Sequence, residues 1–413
     1  MNHSDLLSVA EARRRLLAAL PVSPAEEIAL AHAAGRVLAA PLVAPFPSPR
    51  FDNSSMDGFA VRAVDVAGAS AEAPVQLQVI GDQPAGADFP KQVVAGQTVR
   101  IMTGAALPAG ADAVVPVEQT DVPGGRAGLA LPASVQVQAA VAAGDYVRPA
   151  GEDFAAGAEL LPAGHRLRAQ DAALLAMLGQ ARLAVHRRPR VALFSSGDEL
   201  LAPGQPLDPG KIYETNSFQL SALIESCGAE VVWLGVARDE RTDVQAHLEH
   251  ALEQDADLIL TSAGVSVGAF DFLREAVLQR GHLDFWKVNM RPGKPFTFGD
   301  YASVPYIGLP GNPASAFACF EVFVRPALEH MAGVPAWQRR VLHAEMGQDV
   351  SSDGRESYLR VKIKPEGETV RILLTGHQGS GNLYSLVQAE GLMIVPAGIK
   401  EISAGSQVEV WPL

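Results

Sequence analysis

The acids, hydroxyls and cations that could do chemistry in this chain lie in a few short, turn-rich stretches. FDNSSMDGFAV, residues 51 to 61, sets Asp57 beside a glycine in a run of turn formers, with Phe51 and Phe59 placed to anchor both ends in a core. Alone, the stretch is either an ordinary surface turn or a loop presenting a carboxylate, and the rest of the chain must supply a site for it.

Three further stretches each follow a short apolar run: SSGDEL (195–200), TSAGVSVG (261–268) and LPGNPAS (309–315). Loops of this composition between a strand and a helix start offer backbone N–H groups to phosphate. Open α/β sheets bind ligands at the carboxyl ends of their strands, where these loops fall. One such loop is weak evidence. Three in one domain point to an anionic or nucleotide-like ligand, with Ser196, Gly197, Ser262, Gly264, Ser266, Gly268, Pro310, Gly311 and Asn312 as candidate contacts.

SSGDEL also carries Asp198 and Glu199. Acids repel phosphate unless a cation lies between them, and Mg²⁺ takes carboxylate and phosphate oxygens together. Asp239 and Asp271 fall on the same rim. The alternative is that Asp198 and Glu199 cap a following helix. KVNMRPGKPF (287–296) gathers Lys287, Arg291 and Lys294 in a loop stiffened by prolines, which suits oxyanions; its alternative is a solvated basic loop. No HExxH or GxGxxG motif and no Cys–His arrangement of a thiol hydrolase appears, which argues against zinc proteases, thiol hydrolases and nicotinamide dehydrogenases. His377, in TGHQGSG, reads as a turn residue.

Elements must hold these loops in place. At 413 residues the chain exceeds one core, and several domains are expected. Lys plus Arg is 33 against 46 Asp plus Glu, a net charge of −13, which argues against nonspecific nucleic-acid binding. Cys227 and Cys319 sit in apolar, helix-like segments and read as inert thiols without disulfide or zinc spacing. The N-terminus reads as an amphipathic helix with no signal peptide, and no apolar run is long enough to span a membrane, so a cytoplasmic location is expected.

Residues 1 to about 40 read as two helices, the second over SPAEEIALAHAAG with Ser23 as its N-cap. Residues 45–149 are dense in Val, Gly and Pro with short alternating runs, a β-rich insertion. Residues 150–188 return to helix and join 1–44 as a discontinuous, partly helical domain. From 189 to 334 apolar strands alternate with amphipathic helices, the pattern of a doubly wound α/β domain with a mainly parallel sheet. Residues 335–413 return to short strands, a small β barrel or sandwich.

FDNSSMDGFAV, RIMTGAALPAGADAVVPVE, VRPAGED, SSGDEL, TSAGVSVG, MRPGKP, GLPGNPAS and TGHQGSG, in that order, resemble the MoeA family of molybdenum-insertion enzymes, which includes the gephyrin E domain. The resemblance runs from about residue 5 to the end. It implies a multidomain α/β plus β fold: a partly helical segment, a β-rich insertion, an α/β molybdopterin-binding domain and a C-terminal β barrel. It also implies a homodimer whose active-site cleft lies between subunits. The implied reaction inserts molybdenum from molybdate into adenylylated molybdopterin and releases AMP with Mg²⁺. An adenylyltransferase would act upstream, and neither nucleic acid nor membrane is a partner.

By matched motifs, the resemblance implies Asp57, Thr103, Glu199 and Asp239 as catalytic. It implies Arg148, Asp153, Lys287, Arg291, Lys294, Arg360 and Ser380 as substrate contacts. Glu199, Asp239 and Asp271 are the expected Mg²⁺ acids. Arg291 stands where many members have lysine, Ala263 replaces a glycine before GVSVG, and Ser196 replaces a common threonine. The rivals are a non-catalytic dimeric scaffold of the gephyrin E type and a molybdopterin adenylyltransferase.

Overall fold

The computed structural model describes residues 6–87, 90–122, 130–262, 269–367 and 369–413, with the backbone alone for 269–271. The chain divides into two compact units, one of residues 1–40, 163–175 and 180–413, the other of 41–162 and 176–179.

The larger unit is built on a six-stranded sheet. Its order is Glu230–Ala237, Arg190–Ser196, Leu258–Ser262, Val304–Leu309, Thr297–Tyr301 and Gly281–Phe285. The first four strands run parallel, Thr297–Tyr301 runs antiparallel to them, and Gly281–Phe285 is antiparallel to Thr297–Tyr301. Helices cover both faces, so the central strands are apolar on both sides. Val191 and Leu193 enter one core with helix residues Leu220, Ile224, Phe320 and Phe323. Ala192 and Phe194 enter the other with Val244, Leu248 and Val277. After Arg190–Ser196 the chain adds one neighbour and then crosses to the other side for Leu258–Ser262. That reversal opens a crevice at the carboxyl ends of the strands.

The expected closing helix is continuous from Pro313 to Met331, with a π turn over Phe320–Val324 just before Pro326. Proline lacks the N–H an α turn would use, and the wider turn accommodates it. The C-terminal strands close a five-stranded barrel: Glu356–Glu366, Thr369–Leu374, Leu342–Met346, Gln407–Pro412 and Gly391–Val395, with the first and last also paired. Met290–Arg291 adds to the barrel in parallel beside Glu356 and Ser357, so the cationic loop is tied to it.

The first expected helix is present as Val9–Ala19, capped by Ser8, whose side chain accepts from the Glu11 N–H. The second is not. Ala25–Ala29 is a strand, paired antiparallel with Arg182–His186, followed by one 3₁₀ turn. The local signals, Ser23 and Pro24 and early glutamates, favour a helix start. The Arg182 strand offers five backbone partners and takes Glu27 as an ion pair, and these distant contacts win.

The smaller unit holds a five-stranded sheet in the order Ala113–Pro116, Gly58–Val61, Gln97–Ile101, Val75–Gln83 and Ser134–Val137. Gly58–Val61 is buried on both faces: Phe59 and Val61 lie in one core, Ala60 in the other. Phe59 anchors its end of the Asp57 turn as expected. Phe51 does not; it is half exposed, because the turn is held on that side by polar contacts instead.

Candidate active site

In the smaller unit, the Asp57 turn and the IMTG turn meet. Asp57 Oδ1 accepts from the Thr103 N–H at 2.7 Å and from the Thr103 hydroxyl at 2.8 Å. The Asp57 carbonyl accepts from Val117 N–H. Glycine follows Asp57 because the neighbouring strand is too close for anything larger: a Cβ on Gly58 would sit 2.0 Å from the Val115 carbonyl oxygen. Arg148 pairs through its backbone with Asn53 in the same turn, and its guanidinium reaches Glu152 and, at 2.7 Å, Asp153. Asp52 accepts from the Ala150 N–H and closes the loop. The four residues singled out in this region thus belong to one set of interlocked turns.

In the larger unit, a cavity of about 830 Å³ opens at the carboxyl edge of the sheet. Its lining includes Ser196, Gly197 and Glu199 from the first loop, Asp239 from the next, and Arg291 and Lys294 from the cationic loop. Pro310, Gly311 and Asn312 line it from the last loop, and Ser380 from the barrel. Ser262 ends its strand fully buried at the same edge. Gly264, Ser266, Gly268 and Ala263 lie outside the described residues, as does the side chain of Asp271.

Two of the three loops differ from expectation, and the third lies outside the described residues from 263 to 268. No helix follows SSGDEL directly; the chain enters the short strand Leu200–Leu201, and the next helix begins at Asn216. Asp198 and Glu199 therefore do not cap a helix. At the last loop, the helix start is already occupied. Ala314 N–H donates to the Ser380 carbonyl, Ser315 and Ala316 N–H donate to the Asn312 carbonyl, and Pro313 has none to give. Among the described residues, the cations that line the cavity are Arg291, Lys294 and Arg355, and this helix end adds little to them.

Glu199 and Asp239 line the cavity, and Asp198 lies close to Asp239 without lining the wall itself. Asp239 N–H donates to Asp198 Oδ1 at 3.2 Å, and Asp239 Oδ1 is buried with no partner among the described residues. Burial, then the charges of Asp198 and Glu199, raises the Asp239 pKa above the ordinary carboxylate range. Among the described residues no group of three or more His, Cys, Asp or Glu is arranged to hold a metal unaided.

Lys294 is exposed on the cavity wall, and its loop is fixed from beneath: a Cβ on Gly293 would meet Cys319 Sγ at 2.4 Å. Both thiols are buried, and burial pushes Cys227 up to about 12 and Cys319 upward as well, so neither is reactive. Lys287 is not on the cavity wall; its ammonium lies 3.9 Å from the Trp286 ring centroid. Arg360 is not on it either. Its side chain is fully buried, and it donates to the carbonyls of Gly379 (3.1 Å) and His377 (3.4 Å). It holds the TGHQGSG loop, whose Ser380 hydroxyl accepts from Asn312 Nδ2 at 3.0 Å. His377 makes a turn contact with the Gly379 N–H, as expected.

The sequence reading missed several lining residues, among them Glu214, Asn216, Arg355 and Gln378. Arg355 and Arg291 flank Asp353, and the Arg355 hydrogen bond lowers that carboxyl's pKa. The signal for Glu214 and Asn216 was present in YETN, a polar run at a helix start on the ligand edge.

Family models match the chain in order: the MoeA N-terminal region (domains I and II) over 7–179, a probable molybdopterin-binding domain over 192–330, and the MoeA C-terminal region (domain IV) over 343–413. Molybdopterin molybdenumtransferase 2 of Mycobacterium tuberculosis is 40% identical over 393 residues, covering 94% of each chain. Molybdopterin molybdenumtransferase of Haemophilus influenzae is 33% identical, covering 98% of each. The crystal structure of the molybdopterin biosynthesis moeA protein from Pyrococcus horikoshii OT3 superposes with a TM-score of 0.83 at 30% identity, covering 99% of this chain and 100% of that one.

Proposed function

The chain belongs to the MoeA family, and on that premise we propose that it is the molybdenum-inserting enzyme of molybdenum cofactor biosynthesis. It takes adenylylated molybdopterin and molybdate, inserts the metal and releases AMP with Mg²⁺. The observation that carries the reading is the cavity of about 830 Å³, whose wall brings the acids Glu199 and Asp239 together with the cations Arg291, Lys294 and Arg355.

The substrate is a pyrophosphate-linked anion, and molybdate is a tetrahedral dianion. Arg291, Lys294 and Arg355 hold anionic oxygens, Arg through a two-pronged donor. Ser380 and Asn312 add neutral donors at the seam between barrel loop and helix start. Arg360 acts through the loop that carries Ser380. Glu199 and Asp239, with Asp198 beside them, fit Mg²⁺, since Asp239 has an oxygen without a partner among the described residues and a raised pKa that a cation would relieve. Two carboxylates with substrate phosphates are a sufficient set for this ion, which explains why protein side chains alone do not complete one. When bound, Mg²⁺ supplies charge neutralisation at the pyrophosphate. Glu199 orients the attacking water there, and Asp57 with Thr103 positions substrate. A homodimer with its active-site cleft between subunits, an upstream adenylyltransferase, and the roles of Arg148, Asp153, Lys287 and Asp271 are parts of the same proposal, as is the four-part domain division.

Glu199→Gln tests it. AMP release from adenylylated molybdopterin with molybdate and Mg²⁺ is expected to fall at least about 100-fold, with thermal unfolding unchanged. Undiminished AMP release would remove the acid rim from the mechanism. The scaffold reading is weaker, because the cavity wall carries a set of charged and polar side chains of both signs, where a peptide groove is built on apolar anchors. The adenylyltransferase reading leaves the matched N- and C-terminal regions without a role.

A further inference from the structure

One short segment touches all three strand ends. Glu214, just before the helix Asn216–Ser226, is 4% exposed. Its Oε1 accepts from the Ser195 hydroxyl at 3.0 Å and from the Ser217 N–H at 2.8 Å, and Oε2 accepts from the Ser217 hydroxyl. Two residues on, Asn216 Nδ2 donates to Ser262 Oγ at 2.6 Å and to the Gly311 carbonyl at 2.7 Å. Ser195 and Ser262 end adjacent parallel strands, and Gly311 follows the next strand over. One helix start therefore hooks the first strand end through Glu214 and joins the second and third through Asn216.

Chemistry fixes the Asn216 amide. The Gly311 carbonyl can only accept, so the nitrogen must face it. The amide oxygen is left buried with no partner among the described residues. A buried acceptor without a donor costs about 1–3 kcal/mol. An apolar side chain of the same volume would avoid that cost but would leave the Gly311 carbonyl and the buried Ser262 hydroxyl without this donor, so the link between them is what the amide contributes. What the amide supplies is a two-pronged donor of set length between two ligand-edge loops.

We propose that Asn216 is a positioning residue. It sets the end of the Leu258–Ser262 strand against the Gly311 loop, so that a substrate spanning both meets them in register. The role in turnover rests on the function proposed above. A misplacement of about 1 Å in such a frame costs on the order of 100-fold in rate.

Asn216→Asp keeps the shape and replaces the donor by an acceptor. The Ser262 hydroxyl can turn to donate, but the Gly311 carbonyl cannot, so one arm is cut. In the full-length protein, kcat for AMP release per folded molecule is expected to fall at least about tenfold, with KM changed less than about threefold. Without ligand, amide exchange at Ala314–Ala316 is expected to quicken about tenfold while Ala192–Ser196, held through Glu214, stays unchanged. Ser262→Ala cuts the other arm without adding charge, and is read by the same kcat and by exchange at Ile259–Ser262. It keeps the test open if the first variant does not fold. Unchanged kcat per folded molecule in a folded variant, or exchange that rises equally at all three strand ends, overturns the positioning role. If the unaltered protein releases no AMP, the function reading fails instead, and exchange alone decides whether Asn216 couples the loops.

Discussion

Arg360→Met separates stability from activity at one buried side chain. Arg360 is 2% exposed, has no ion pair among the described residues, and leaves Nε without a partner. Burial pushes its pKa down, with no neighbouring carboxylate to offset the effect. Holding an ion out of water costs several kcal/mol even after the surroundings relax. Against this stand two hydrogen bonds from a charged donor to the carbonyls of His377 and Gly379, each contributing about 1.5–3 kcal/mol. The two sides nearly cancel. Methionine, similar in reach and free of charge, is therefore expected to shift stability by no more than about 2 kcal/mol, or about 5 °C in Tm. The loop that carries Ser380 loses its side-chain tether, and AMP release is expected to fall at least about tenfold. Thermal unfolding and AMP release on the same preparation check both halves. A loss beyond about 4 kcal/mol would mean that a counter-charge compensates the guanidinium, and the argument from an unpaired buried cation would be wrong. Full activity would mean that the loop does not depend on Arg360.

Gly58→Ala places a methyl 2.0 Å from the Val115 carbonyl oxygen, so two central strands must part; a loss of about 3 kcal/mol is expected in the smaller unit, read by thermal unfolding, and wild-type stability would contradict the packing. Asp171, buried at the start of the helix Ala169–Met177, accepts from the Arg168 side chain, from His165 and from the Arg168 N–H, in that order of effect on its pKa, which lies well below the usual carboxylate range. A depressed pKa means stability that is present above the unfolded value near 4 and lost as pH falls. Asp171→Asn is expected to cost about 2 kcal/mol at pH 7 and to close on the unaltered protein below about pH 4; urea midpoints that differ equally at pH 7 and pH 3 would contradict this.

Much of the architecture was readable because its signals are local and repeat. Runs such as VALF (191–194) and LIL (258–260) are apolar throughout since helices cover both sheet faces, and the amphipathic runs between them keep one side for the core. The loops of the site were readable for the same reason: Gly, Ser, Asn and Pro cluster where a strand stops at the ligand edge. Ala25–Ala29 failed by the opposite logic. Its helix signals are real but weak, and its pairing strand lies far along the chain. Phe51 failed because exposure depends on what packs above it, which a turn's composition does not reveal.

By itself the sequence determined which residues carry charge and hydroxyls, and that they stand in turns between periodic elements, because periodicity and turn chemistry act over a few residues. Only the tertiary structure decided which of those groups line the cavity and which support it. Lys294 lies on its wall while Arg360 braces a loop from beneath, and the last helix start spends its N–H groups on Ser380 and Asn312. It also brought Asn216 between two loops distant in sequence. Such contacts are set by how strands order themselves in the sheet and how the barrel closes beside it, and no window of neighbouring residues encodes that order.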